Sequence, residues 1–455
     1  MTVTEWTPTE RRVLLTERLR SRSMTRSMLS GMVASAIVLV LQLGTGVLNA
    51  RLLGPSGRGE VAAIMAWVVT AAAIGGLGFT AGLSYLQATA RWPSPSLLAG
   101  SLVSVLVLGT ASLAITELLI PIGFGEQSDD VISLARVMMF TIYIVMAANA
   151  MRSLVSSNRF FLTFAVLVVS QPLVYAVGAL VLWISDSYTV GWVLAVQIAG
   201  FGVTALGGVI VLVLVSGLRA ADVGETRTAI GYGVRSFGAT LSRIANARLD
   251  LVVMPAFVGA AQIGLYAVAI SVGSMMVALF EQVSRVVLTS TAQAEEDERG
   301  RLVERILRIV ALGAIAIALF LAVFGPDLIS LVYGADFRAA GTSLRLLLPG
   351  LVLWTCNMVI TGSLMGANRP GRPSIAQALG VVVTVVGLWW SVPRYGAEGA
   401  AATSSIAYAS VCSVNYIFLR DRFDVSLRRT LSPRALVVDV RGLWRRLLPR
   451  LRSSR

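Results

Sequence analysis

The chain has 455 residues, of which 56% are hydrophobic and only 14% are charged. Soluble domains carry about 25% charged residues, so this composition excludes an ordinary soluble fold and indicates an integral membrane protein. The 38 basic residues are all arginine, the net charge is +14, and histidine is absent. Without histidine the usual general base and the commonest metal ligand are missing, so we expect no metal or other cofactor and no enzymatic chemistry.

The N-terminal residues 1–27 mix acidic and basic side chains before any long apolar run begins. They therefore predict a basic, amphipathic, cytoplasmic lead-in rather than a cleavable signal peptide. Beyond them, apolar runs of about 20 residues, the length that crosses a hydrocarbon core, occur twelve times. The predicted spans lie near 28–49, 61–86, 97–121, 131–152, 160–184, 190–216, 232–257, 261–285, 305–325, 342–366, 373–392 and 398–419.

Arginine is distributed unevenly between the predicted connections. It is frequent in every second connection and in the tail, and rare at 123–130, 185–187 and 325–337. Since cytoplasmic connections carry the excess of basic residues, both termini are predicted to be cytoplasmic, in a multi-pass protein of the cytoplasmic (inner) membrane. Arg51, Arg58 and Arg394 are the exceptions, because this path places them on the outer side.

Short motifs recur after a shift of 205 to 210 residues. The heptapeptide SLVSSNR at 153–159 returns as SLMGANR at 363–369, at the end of the fourth and of the tenth predicted span. Other matches follow in the same order: Phe124-Gly125 with Tyr333-Gly334, Arg136 with Arg345, and GPSGRGEVA at 54–62 with GAAQIGLYA at 259–267.

The order of these matches predicts an internal repeat. Six spans separate corresponding positions, so both copies cross the membrane in the same direction and the repeat is parallel. The predicted halves are six-helix bundles over 28–217 and 229–420, joined by a cytoplasmic linker at 218–228. Shared composition of helical hairpins, without homology, is the alternative explanation.

Three stretches resemble a known family: RLLGPSGRGEVA after the first span, RLDLVVMPAFVGAAQIGLYAVA across the seventh and eighth, and VYGADFRAAGTSLRLLLPG before the tenth. Over about 28–420 the chain resembles the polysaccharide and oligosaccharide (O-antigen type) flippases of the MOP superfamily, relatives of MATE exporters and lipid II flippases. The resemblance implies an all-α membrane protein of about 12 helices, in two parallel six-helix bundles around a central cavity. It also implies alternating-access transport of undecaprenyl-pyrophosphate-linked oligosaccharide, with polysaccharide biosynthesis proteins as possible partners.

The basic tail at 421–455 departs from the resemblance. Lipid II flippases commonly have fourteen helices, whereas this tail contains no thirteenth apolar span. Leucines and Trp444 alternate with arginines, which is typical of a helix lying on anionic membrane lipids. A basic end that only fixes topology is the alternative. We expect no nucleic-acid partner, because the arginines flank membrane spans.

Polar side chains within spans are costly, so they mark the candidate substrate site. In the seventh span Arg235, Arg243, Asn246 and Asp250 fall on one helical stripe. Guanidinium forks and amides suit phosphate oxygens and sugar hydroxyls. We therefore hypothesise that Arg243 binds Asp250 when the cavity is unloaded and pyrophosphate when it is loaded. The alternative is a structural ion pair of Asp250 with Arg243 or Arg248.

Gln171 in the fifth span extends the predicted cavity, and the adjacent Pro172 predicts a kink that either gates the path or only packs. Further charges are interpreted as gate or structural groups. They are Arg136 and Arg345 at the outer ends of the fourth and tenth spans, and the i,i+4 pair Glu281 and Arg285 in the eighth.

Two other function classes compete with the flippase. A MATE-like exporter of small cationic drugs should have an acidic cavity, whereas the predicted stripe has two arginines to one aspartate. A polysaccharide polymerase or ligase needs an acid or base on a sizeable external loop, which the chain lacks. Cys356 and Cys412 lie within apolar runs and are predicted to be small core residues, without a disulfide or metal role.

We expect the substitutions Asp129→Cys and Asp186→Cys to react with a membrane-impermeant maleimide in intact cells, because both positions follow spans that end outside. Arg299→Cys should react only after the membrane is permeabilised. Labelling of position 299 from outside would overturn the twelve-span path and the parallel repeat with it.

Overall fold

The computed structural model describes residues 24–89, 94–217, 219–293, 296–367, 369, 371–423 and 425, and its regular elements are all helical. Most of the predicted N-terminal lead-in and nearly all of the basic tail lie outside these residues. Short 3-10 turns occupy Met254–Ala256 and Ala335–Phe337. The α-helices are α1 (Met24–Gly75), α2 (Phe79–Thr89), α3 (Pro95–Gly123), α4 (Asp129–Met139), α5 (Ile142–Ser157), α6 (Phe161–Ile184), α7 (Val190–Ser216), α8 (Val223–Val253), α9 (Ala260–Gln293), α10 (Glu296–Tyr333), α11 (Ala340–Gly366) and α12 (Gly371–Phe423).

The two longest helices each contain more than one predicted span. At 53 residues, α12 would extend about 80 Å if straight, far more than the roughly 30 Å hydrocarbon core. Its path breaks at Gly396, where φ is 55°, and α1 breaks in the same way at Gly54, where φ is 66°. Only glycine adopts such angles readily, so these two residues separate the first span from the second and the eleventh from the twelfth.

Among the described residues, eight helices are long and apolar enough to cross a membrane. The number rises to nine if α4 and α5, which meet at a bend of 42°, form one span. Helix α8, which contains most of the seventh predicted span, is absent from this set, and it carries several charged residues. The all-α membrane fold that the sequence predicts is confirmed.

The chain forms two compact units, which do not end at the predicted boundary. The first unit continues to Ala267 and includes Val332–Gly334; the second comprises Val268–Leu331 and the residues from Ala335 onward. Helix α8 belongs to the first unit, where it packs on α1, α2 and α3. The division at 218–228 rests on the repeated motifs of the sequence, and it stays a prediction.

The second unit has its core between α11 and α12. Within this core the Asn415 side-chain amide donates to Asn357 Oδ1 at 2.8 Å, and both residues are buried. Cys356 and Cys412 are buried in the same apolar cluster as free thiols. The prediction that both cysteines are core residues is confirmed.

A reciprocal backbone contact joins α1 to the start of α9 within the first unit. A Cβ atom added at Gly59 would lie 1.8 Å from the Ala260 carbonyl oxygen. A Cβ atom added at Gly264 would lie 2.0 Å from the Pro55 carbonyl oxygen. The shift of 205 residues that relates the repeated motifs also exchanges these two contacts, as a local two-fold axis would do.

Because no side chain fits between these backbones, Gly59→Ala should force α1 and α9 apart. We expect a loss of unfolding free energy of about 1–3 kcal/mol, the usual cost of overpacking. The measurement is the unfolding midpoint of the purified protein in detergent. Gly44→Ala on the same helix is the matched control, since its added Cβ would meet nothing within 4 Å. Equal midpoints for the two variants would contradict the tight contact.

Candidate functional site

A polar cavity of the first unit opens where α1 ends and α2 begins. Its volume is about 480 Å³, within the range of about 300–1,000 Å³ that is typical of small-molecule sites. The walls come from the end of α1, from α2 and from α5, with single residues of α3, α6 and α8. The polar or charged lining residues are Thr80, Ser84, Asn149, Arg152, Ser153 and Ser156, and we call this site the Arg152 cavity.

A break in the helical path creates room for the cavity. Leu77 and Gly78 adopt φ angles of 45° and 73°, so the helix that began in α1 stops at Gly75 and restarts at Phe79. Across the gap, α2 is tied to α5 by hydroxyl groups. Ser84 Oγ lies 2.7 Å from Ser153 Oγ, and Ser153 also contacts the Thr80 carbonyl oxygen at 2.7 Å. These bonds fix the two walls relative to each other.

Among the described residues of the lining, Arg152 is the only charged one. Its guanidinium carbon lies 5.7 Å from the centre of the Phe201 ring on α7, a cation–π distance. Its Nε atom is buried and has no hydrogen-bond acceptor within the described part of the chain. The described lining supplies hydroxyl groups and an amide beside this cation, and no carboxylate. A cation with unused donors in such a cavity favours an anionic ligand with hydroxyl groups.

The predicted stripe of α8 is divided by the structure. Asp250 and Asn246 are buried, whereas Arg235 is exposed. The side chain of Arg243 lies outside the described residues, so its predicted sharing between Asp250 and substrate stays a prediction. Of the α8 side chains that the structure describes, Ile244 alone lines the Arg152 cavity.

The Asp250 carboxylate is held by its immediate surroundings. One oxygen accepts a hydrogen bond from the Tyr266 hydroxyl at 2.5 Å, and the other accepts from the backbone N–H of Leu251 at 2.8 Å. Nearby, the Trp67 indole N–H donates to the Val252 carbonyl oxygen at 2.8 Å. These bonds anchor the end of α8 to α1 and α9 within the first unit.

None of the other predicted site residues is among the described lining residues of the Arg152 cavity. Gln171 is half-buried, and its backbone meets α7 so closely that a Cβ atom at Gly200 would lie 2.6 Å from the Gln171 carbonyl oxygen. Pro172 is buried inside a continuous α6. Of the remaining four residues, Arg136, Glu281 and Arg345 are exposed. Arg345 donates to the Ala322 carbonyl oxygen at 2.8 Å. The side chain of Arg285 lies outside the described residues.

The sequence contains a pattern that indicates the Arg152 cavity, but the topology prediction explains its arginine in another way. Asn149, Arg152, Ser153 and Ser156 are spaced three, one and three residues apart, which places them on one face of a helix. Arg152 stands at the end of the fourth predicted span, where the positive-inside rule alone accounts for an arginine in a cytoplasmic connection. The same residue both obeys the positive-inside rule and lines the cavity.

Comparisons with known proteins identify the fold and the family. A sequence model described as "Polysaccharide biosynthesis protein" matches residues 48–341. A curated relative, "Probable low-salt glycan biosynthesis flippase Agl15" of Haloferax volcanii, is 20% identical over 217 residues. That alignment covers 46% of each chain, so the chain spans about half the length of this relative.

Two solved structures share the fold over most of the chain. The lipid II flippase MurJ in an inward closed conformation has a TM-score of 0.74 at 17% identity, covering 88% of both chains. An inward-facing multidrug resistance MATE family transporter of the MOP superfamily has a TM-score of 0.70 at 15% identity. It covers 85% of this chain and 94% of its own.

The bond between Tyr266 and Asp250 should contribute to stability. In a double-mutant cycle of Tyr266→Phe and Asp250→Asn, we expect a coupling free energy of about 1–3 kcal/mol, as is usual for hydrogen bonds to charged groups. The unfolding midpoint of the purified protein in detergent measures it. Additive effects of the two substitutions would show that the bond does not stabilise the end of α8.

Proposed function

We propose that this chain, which belongs to the polysaccharide biosynthesis protein family, moves an undecaprenyl-pyrophosphate-linked oligosaccharide from the inner to the outer leaflet by alternating access. The observation that carries the proposal is the Arg152 cavity inside a membrane protein fold. Its single cation suits the pyrophosphate, and its hydroxyl and amide groups suit the adjoining sugar.

The charge of Arg152 explains why a lipid pyrophosphate is a good ligand. Arginine keeps its proton at any physiological pH, and its planar fork makes paired hydrogen bonds with phosphate oxygens. An arginine at membrane depth costs about 2.5–3.5 kcal/mol on insertion scales. A bound pyrophosphate offsets this cost and is itself shielded from the hydrocarbon. The lipid and the cavity therefore reduce each other's electrostatic penalty.

The size of the cavity limits what it encloses. At about 480 Å³ it is a small-molecule site rather than a groove for a long polymer. It accommodates the pyrophosphate and the sugar next to it, while the polyprenyl chain stays among the membrane lipids. The more distant sugars need a path outside this cavity.

The competing function classes fit this site less well. A carrier of cationic drugs would meet an arginine and no carboxylate among the described residues that line the cavity. A polymerase or ligase would need an acid or base there, and the polar groups of the described lining are arginine, amide and hydroxyl groups. The similarity to two flippases, one for lipid II and one for glycan biosynthesis, supports a lipid-linked substrate.

Arg152→Gln tests the proposal, because it removes the charge and the fork but keeps a hydrogen-bonding amide. Proteoliposomes containing a fluorescent polyprenyl-pyrophosphate oligosaccharide report the flipped fraction through quenching by an added membrane-impermeant reductant. We expect the initial rate to fall at least tenfold, equivalent to about 1.4 kcal/mol. Arg152→Lys should recover part of the rate, since the charge returns without the fork.

The matched control is Arg227→Gln, at an exposed arginine of α8 that is not part of the cavity lining. Its rate should equal that of the unmodified protein. An unchanged rate in Arg152→Gln would reject the cavity as the substrate site. Efflux of a cationic dye by the unmodified protein, without movement of the lipid, would favour the exporter instead.

A further inference from the structure

A second polar cluster surrounds one of the arginines that break the positive-inside pattern. Asn49 is buried at 1% exposure and binds two phenol groups. Its side-chain amide N–H donates to the Tyr175 hydroxyl at 2.5 Å, and its carbonyl oxygen accepts from the Tyr188 hydroxyl at 2.6 Å. Arg58 lies within electrostatic range of Tyr175, Tyr188 and the buried Tyr333. We call these five residues the tyrosine cluster.

The tyrosine cluster contains more donors than acceptors. The Nε atom of Arg58 is buried and, within the described residues, has no hydrogen-bond partner, and the guanidinium forms no ion pair there. Tyr175 accepts from Asn49 and therefore keeps its own O–H for another acceptor. Tyr333, which is only 2% exposed, brings a further hydroxyl group to the cluster. Such a surplus of donors around a cation is satisfied by an anion with several oxygens.

The packing around Arg58 leaves space for its charged end. Gly46, on the part of α1 before the break, would place a Cβ atom 4.0 Å from Arg58 Nη2. Any larger side chain at position 46 would extend towards the guanidinium. A glycine therefore stands at the position that the Arg58 guanidinium approaches. Arg58 itself is half-buried and does not extend fully into solvent.

The tyrosine cluster and the Arg152 cavity are separated along the helices of the first unit. Along α1, Arg58 precedes the first cavity residue, Ala72, by fourteen residues, or about 21 Å at 1.5 Å per residue. Along α6, Tyr175 follows the cavity residue Phe164 by eleven residues, or about 16 Å. Two independent helices therefore give a similar separation. In the predicted topology the cavity is nearer the cytoplasm and the cluster is nearer the outer face.

We propose that Arg58, Tyr175 and Tyr333 form a second phosphate-binding site, which receives the pyrophosphate of the lipid-linked substrate at the outer end of its path. The identity of the substrate rests on the proposed function; the binding of a phosphate anion does not. A second site makes physical sense, because a pyrophosphate leaving Arg152 would otherwise lose its cationic partner within the membrane.

Inorganic pyrophosphate is the probe, and the full chain in phosphatidylcholine nanodiscs is the sample. Radiolabelled pyrophosphate bound at saturation gives the number of sites per chain. We expect two for the unmodified protein, one for Arg58→Gln, one for Arg152→Gln and none for the double variant. Arg51→Gln is the matched control, at an exposed arginine seven residues earlier whose Nε bonds to the Val332 carbonyl oxygen; it should keep two sites.

Tyr333→Phe removes only a hydroxyl group and separates binding from folding. We expect its pyrophosphate affinity at the Arg58 site to fall roughly tenfold, the usual effect of losing a hydrogen bond to a charged group, while the unfolding midpoint is retained. Two sites in Arg58→Gln, or a lowered midpoint in Tyr333→Phe with unchanged binding, would overturn the proposal. If the unmodified protein binds two pyrophosphate ions but moves no lipid, the proposed function is rejected, whereas the second phosphate-binding site is supported.

The source of the phosphate is decided by competition. A polyprenyl pyrophosphate added to the nanodiscs should displace the radiolabel from the Arg58 site at micromolar concentration. Phosphatidylglycerol at one fifth of the lipid should leave the label in place, because a diester offers fewer charged oxygens than a terminal pyrophosphate. Displacement by phosphatidylglycerol alone would make this a general headgroup site and overturn its assignment to the substrate.

Discussion

The structure of the first unit depends on the close approach of helix backbones at glycine. A Cβ atom at Gly82 would lie 1.9 Å from the Ala229 carbonyl oxygen, and one at Gly78 would lie 2.5 Å from that of Gly233. No side chain would fit between these backbones. In lipid, where apolar surface alone gives helices little reason to associate, such contacts supply the dispersion energy that holds them together. They fix α8 against α2 and so bring Ile244 to the wall of the cavity.

Electrostatics then distinguishes three environments for charge within the same unit. Asp250 is satisfied by local donors at the end of α8 and has a structural setting. Arg152 has an aromatic ring and unused donors beside a cavity, and Arg58 has phenol groups and unused donors without a carboxylate. A buried acid is thus solvated by the protein, whereas the two arginines have donors to spare for a ligand.

Much of the fold follows from the sequence, and most of the site does not. The predicted span 190–216 coincides with α7, because an uninterrupted apolar run of this length crosses a membrane as a single α-helix. The run 61–86 looks equally continuous, yet it breaks at Leu77 and Gly78 through contacts with α8 that lie more than 140 residues away in sequence. The cavity depends on that break, so no local pattern could locate it. Arg152 was visible, but the positive-inside rule already accounted for it.

The reciprocal contact at Gly59 and Gly264 has an evolutionary consequence. In an assembly of two identical halves, one substitution would change both contacts at once, so each residue would have to suit two environments. In a single continuous chain the two contacts are encoded separately and can change one at a time. Pro55 and Ala260, which meet the two glycines from corresponding positions, already differ. Separate encoding therefore permits the two contacts to become unequal.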